Sequence, residues 1–125
     1  MSRYEQFQEF RARLNEKFLG GNGKEGKGTL VTKRFFALDD QCYRDTAAEG
    51  GLDKKTKELL GLAASTVLRC DDCIAYHIDQ CVLAGCSDKQ IMETLDVGLI
   101  VGGSIVIPHL RRGVEFLEEC REKAK

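Results

Sequence analysis

Tryptophan is absent from this chain of 125 residues, and proline occurs once, at Pro108. With so few breakers, long segments can run as uninterrupted helix. A charge excess is missing too: 19 Lys and Arg stand against 20 Asp and Glu, for a net charge of −1 and a pI near 6.1. No basic field is therefore available to gather polyphosphates or anionic lipids, and neither nucleic acid nor a membrane surface is an expected partner. No uncharged apolar run reaches the roughly 18 residues that span a bilayer. The opening MSRYEQFQEFRARLNEKF is broken by charge throughout and has no signal-peptide core. A cytoplasmic protein is the expectation. Sustained period-two alternation, the mark of half-buried strands, is lacking as well, so the predicted fold is all-α with about six helices. At 13.9 kDa one domain is expected over residues 1–125, with an N-terminal helix and Gly-rich connector over 1–28 and a core motif region over 52–118.

The helices can be placed from their periodicity and punctuation. Tyr4, Phe7, Phe10, Leu14 and Phe18 recur at steps of three or four and predict an amphipathic helix over about 2–19. Its aromatic stripe needs the core or a partner subunit to cover it. GGNGKEGKG, residues 20–28, reads as a flexible connector. Gly21 to Lys27 mimics the start of a phosphate-binding loop, but Gly28 stands where a Ser or Thr is required and no strand precedes it. Phe35, Phe36, Leu38, Cys42, Tyr43 and Ala47 suggest a second helix from Thr32 to Glu49, closed by Gly50 and Gly51. Asp53 is placed to cap a third, whose Leu59, Leu60, Leu62, Ala63, Ala64, Val67 and Leu68 make it apolar nearly all round and so central. A fourth starts near Asp71 and closes at Gly85. Ser87 with Gln90 forms a capping box for a fifth, which runs to Gly102 and Gly103. Pro108 fits only the first turn of a sixth, which should end near Cys120.

Chemistry concentrates between Glu58 and His77. Cys70 and Cys73 form a C-x-x-C, and His77 follows the second thiol by four residues. Spacings of three and four share a helix face, so the two thiols and the imidazole can form one cluster. With no export signal, thiols are expected to stay reduced, and a C-x-x-C then points to redox or metal chemistry. Cys42, Cys81, Cys86 and Cys120 are read as buried small hydrophobes, with Cys81 of interest because it lies four residues beyond His77. Cys70 at a helix start gains from the unpaired N–H groups there, with Arg69 alongside, whereas Asp71 and Asp72 oppose thiol ionisation. Glu58 sits inside an apolar helix and needs a partner. It could orient His77, but a straight antiparallel hairpin would set it opposite residues beyond His77, so the helices must cross or bend if the two meet.

A glutamate, eleven residues, C-x-x-C, three residues and a histidine, followed by Ala84-Gly85 and Gly102-Gly103, resembles the alkylhydroperoxidase AhpD-like, carboxymuconolactone decarboxylase family over about residues 52–118. The resemblance implies an all-helical protein assembled into trimers or hexamers. It further implies reduction of hydroperoxides by the C-x-x-C pair and recharging by a dithiol, dihydrolipoamide or a thioredoxin-like protein. On that pattern Cys73 is the peroxidatic thiol, Cys70 the proton donor and resolving thiol, and Glu58 with His77 the proton relay, with no cofactor. AhpD itself has a histidine just before the second cysteine, where this chain has Asp72. The decarboxylase branch lacks the paired cysteines, which argues against a lyase.

Two other readings use the same residues. Cys70, Cys73 and His77 could be three zinc ligands, with Glu58 or His109 as the fourth, although structural zinc sites normally show two separated ligand pairs. Alternatively all four could be packing residues of a non-catalytic oligomeric binding protein. His109, beside Arg111 and Arg112, could line the pocket, contact a neighbouring subunit, or simply pack the last helix.

Overall fold

The computed structural model describes residues 1–125 and contains six α-helices and one two-stranded ribbon. The chain falls into two compact units, Met1–Arg44 and Asp45–Lys125. In the first, α1 (Arg3–Leu19) starts at a capping box in which Ser2 and Glu5 exchange side-chain bonds with each other's backbone. The segment expected to be a loose connector is ordered. Gly20–Gly21 pairs with Lys24–Glu25 as β1 and β2, and Asn22 and Gly23, both at positive φ (51° and 78°), form the two-residue turn. Asn-Gly is the dipeptide most suited to that turn, so the signal was present in the sequence. A side chain at Gly26 would strike the Phe18 carbonyl, which is why glycine stands there.

Helix α2 spans Leu30–Cys42, shorter than the predicted Thr32–Glu49. Thr29 caps its start. Beyond Tyr43, Asp45 draws the backbone into a turn by accepting from the N–H groups of Ala47 and Lys54, and Ala47–Glu49 forms a separate 3-10 turn. Neither α1 nor α2 contains a buried residue. Phe10, Phe18, Leu30, Val31, Phe35 and Leu38 are all exposed, and Cys42, expected to be packed, is exposed as well.

The second unit packs α3 (Lys54–Leu68) against both α4 (Asp71–Leu83) and α5 (Asp88–Gly102), with α6 (Ile107–Lys123) closing on α4. Asp53, Ser87 and Pro108 do what their positions predict: two side-chain caps and a proline in a first turn. Helix α3 is central, as expected, but it is not buried all round. Its buried stripe is Glu58, Gly61, Leu62, Ser65 and Thr66, while Leu60 and Leu68 face outward. Small residues let the helices approach: a methyl group on Gly98 of α5 would lie 2.6 Å from Thr66. Thr66 is affordable in that core because its hydroxyl donates to the Leu62 carbonyl at 2.7 Å. Ile74, Ile78, Ile91, Leu95 and Phe116 fill the remaining interior. No helix is long and apolar enough to cross a membrane.

Candidate active site

The connection from α3 to α4 takes only Arg69 and Cys70. Arg69 adopts the left-handed conformation (φ 59°), the Arg69 N–H donates to Thr66 and the Cys70 N–H to Ser65. This is a tight helix stop that normally prefers glycine, and an arginine there costs about 1 kcal/mol. Cys70 closes α3 and also caps α4: its sulfur accepts from the Cys73 backbone N–H at 3.3 Å. The first thiol is thus held at a helix start, with its sulfur as the cap.

Cys70 is half-buried and Cys73 is exposed. Surrounding residues nevertheless desolvate the Cys73 thiol, and together with the Cys70 sulfur and the Asp72 carboxylate this pushes its pKa up to about 11. It is a thiol at neutral pH, so it needs a base to become a nucleophile. His77 lies one turn further along α4, on the same face.

Glu58 and His77 do meet. The carboxylate lies 2.9 Å from the His77 Nδ1, Glu58 is 0 % exposed and His77 8 %. Straight antiparallel helices would set Glu58 opposite residues beyond His77, and the contact between α3 and α4 brings the two together instead. The other Glu58 oxygen is 2.6 Å from the Lys54 Nζ, a partner the sequence reading did not name although its i, i+4 spacing was visible. Burial pushes the Glu58 carboxyl up, but the hydrogen bonds from His77 and Lys54 and the Lys54 charge outweigh it and hold it below the usual glutamate value. The His77 ring also meets Tyr76 edge-on, at 5.1 Å between centroids.

A second ionic cluster flanks the thiols. His109 Nδ1 lies 2.7 Å from one Asp71 oxygen, and the Arg112 Nε donates to the other at 2.9 Å. Against the opposing effect of burial, these partners hold the Asp71 carboxyl below its ordinary value. His109 therefore ties α6 to the start of α4. Of the two aspartates expected to oppose thiol ionisation, Asp71 is compensated on both oxygens.

The zinc arrangement does not assemble. No group of three or more His, Cys, Asp or Glu side chains is placed to hold a metal ion, and both proposed fourth ligands, Glu58 and His109, are committed to other partners. Cys81, Cys86 and Cys120 are buried as expected. The first two are joined by the helix stop at Gly85, where the Cys86 N–H donates to the Cys81 carbonyl at 2.9 Å, and their thiols are hydrogen-bonded to each other. Burial raises all three thiols, Cys120 to about 12, so they are inert.

Comparison with known proteins places these residues in context. The sequence profile described as the carboxymuconolactone decarboxylase family matches residues 30–115. Two crystal structures of one Thermotoga maritima protein are 60% identical to this chain. The first covers 97% of both chains with a TM-score of 0.85; the second covers 94% of this chain and 91% of that one with a TM-score of 0.82. The second is described as a protein of that family with a suggested part in an antioxidative response. A Legionella pneumophila protein of the same family, in its apo form, is 26% identical over 100% of both chains with a TM-score of 0.74. In Paracoccus denitrificans, an uncharacterized protein of the cox locus is 29% identical over 92 residues, 74% of this chain and 79% of its own.

Proposed function

The chain belongs to the carboxymuconolactone decarboxylase family, and from that premise we propose that it is an AhpD-like thiol oxidoreductase that reduces hydroperoxides through Cys70 and Cys73. The observation that carries this reading is the buried Glu58–His77 pair, 2.9 Å apart, one helical turn beyond a C-x-x-C whose second thiol is held protonated at neutral pH. A base backed by a carboxylate beside a thiol that needs deprotonation is the arrangement nucleophilic sulfur chemistry requires. The suggested antioxidative role of the Thermotoga maritima relative points the same way.

In the proposed cycle His77 takes the Cys73 proton as sulfur attacks the terminal peroxide oxygen. The S–O bond forms, the O–O bond breaks, and the alcohol leaves with a proton, giving a sulfenic acid on Cys73. Cys70 then attacks the Cys73 sulfur; the disulfide forms and water departs. An external dithiol, dihydrolipoamide or a thioredoxin-like protein, supplies the two electrons and two protons that restore both thiols. Reduced protein should consume peroxide continuously when a dithiol is supplied, followed as loss of hydroperoxide. Equal rates with and without the protein would overturn the proposal.

Assembly belongs to the same reading. Ile100, Val101 and Ile105 are exposed at and beyond the end of α5, and the apolar residues of α1 and α2 are exposed in their own unit. Monomers rarely leave so much apolar surface open, and a trimer or hexamer of this chain would cover it. Light scattering at micromolar concentration should return a multiple of 13.9 kDa; the monomer mass would contradict this.

A further inference from the structure

We propose that Lys54 is a positioning residue for the His77 base: it keeps Glu58 ionised, which fixes the imidazole proton on Nδ1 and leaves the basic lone pair on Nε2. The inference rests on the proposed role of His77.

A carboxyl that is 0 % exposed would ordinarily retain its proton, because burial disfavours its charge. Protonation would do more than weaken the contact with His77. A neutral carboxyl group donates its O–H, and a donor 2.9 Å from Nδ1 makes that nitrogen the acceptor. The ring proton then resides on Nε2, and the histidine has no lone pair to offer the thiols. An ionised Glu58 accepts instead, and the opposite tautomer follows. The charge state of one buried oxygen pair therefore decides whether His77 can act as a base.

Lys54 is the group placed to settle that charge. Its ammonium lies 2.6 Å from the oxygen that His77 does not use, the short distance of a charge-assisted bond. The Lys54 side chain is 41 % exposed, so water still solvates it and its own charge costs little. The charges acting on Glu58 are those of Lys54, on its own helix, and His77, on α4. Cys81 of α4 and Cys86 of the following turn also feel the carboxylate, but both thiols are raised and neutral near pH 7 and bring no positive charge. Helix α5 packs against α3 through Gly98 and Thr66, two turns away, and supplies none of the charges that act on Glu58.

The test follows ring nitrogen shifts by NMR in the reduced, full-length protein with 15N-labelled histidine, the His77 signals being assigned from His77→Gln. Wild type should show the Nδ1–H tautomer at pH 7. In Lys54→Met the pH at which the Nε2–H form replaces the Nδ1–H form should move up by about one to three units, the range for losing one close charge. Lys54→Gln, which keeps a hydrogen-bond donor without the charge, should resemble Lys54→Met, and Lys54→Arg should restore the wild-type pattern. A tautomer switch at the wild-type pH in both neutral variants, or a displaced one in Lys54→Arg, would overturn the proposal. The readout uses no peroxide, so it stands or falls separately from the peroxidase reading.

Discussion

With His77 replaced by glutamine, hydroperoxide reduction at pH 7 is expected to slow by about 10²- to 10⁴-fold, the usual effect of losing a general base. The Cys73 thiol itself gives an independent limit. With a pKa of about 11, four units above pH 7 by subtraction, only about one part in 10⁴ of it is thiolate unaided. A base that takes the proton during attack can recover up to that factor. The variant should therefore regain rate tenfold for each pH unit as hydroxide does the work of the imidazole, levelling off near pH 11, whereas the wild type should be nearly flat above neutrality. Glu58→Gln should slow the reaction in the same direction and less, because the amide can still accept from Nδ1 but cannot stabilise the imidazolium that forms. A His77→Gln protein with an unchanged rate and pH profile would remove the base from the mechanism.

The second large effect falls on the thiols. Cys73→Ser is expected to abolish peroxide consumption, since a serine hydroxyl is a far weaker nucleophile than the thiol it replaces. Cys70→Ser should allow one turnover and then stop, with a sulfenic acid on Cys73 that a dimedone-type reagent captures. The cap that Cys70 forms on α4 is one a serine oxygen also provides, so that variant should fold normally and its failure should be chemical. The structure gives each sulfur a claim to the first attack: Cys70 sits on the helix N-terminus, while Cys73 shares a face with the base. Sulfenic acid captured on Cys70 in the Cys73→Ser protein would reverse the assignment.

Much of the fold was legible because it is written in local chemistry. Asp53, Ser87 with Gln90, and Pro108 each mark a helix start within four residues of themselves, and all three do so here. The α2 boundary was missed because Asp45 bonds backbone groups on both sides of the Gly50-Gly51 break and halts the helix early. Helix α3 was read as apolar nearly all round because Leu59, Leu60, Leu62, Ala63, Ala64, Val67 and Leu68 are spread around it, which singles out no face. The buried stripe instead includes Gly61, Ser65 and Thr66, with Thr66 packed against Gly98 of α5, and no hydrophobicity pattern announces that choice. Cys42 was assumed buried by residue type alone, yet no residue of its helix is buried.

The candidate site divides in the same way. Cys70, Cys73 and His77 are neighbours on one helix, and spacing was enough to group them. Glu58 lies 19 residues from His77, and only the packing of α3 on α4 turns a resemblance in spacing into a hydrogen bond. The contacts of Asp71 with His109 and Arg112 span 38 and 41 residues, beyond the reach of any periodicity argument. They correct the view of Asp71 as a bare charge opposing the thiols. Lys54 was within reach, four residues before Glu58 on the same helix, but a lysine at the surface end of a helix ordinarily reads as solvated, and the burial of its partner is what changes its meaning.

Peptide mapping by mass spectrometry, under non-reducing conditions and after one equivalent of hydroperoxide, tests the central claim most directly. The account predicts that two of the six thiols are lost together and that the peptide carrying Cys70 and Cys73 is lighter by two hydrogens, with Cys81, Cys86 and Cys120 still alkylatable after denaturation. Six intact thiols, or a disulfide joining any other pair, would contradict it.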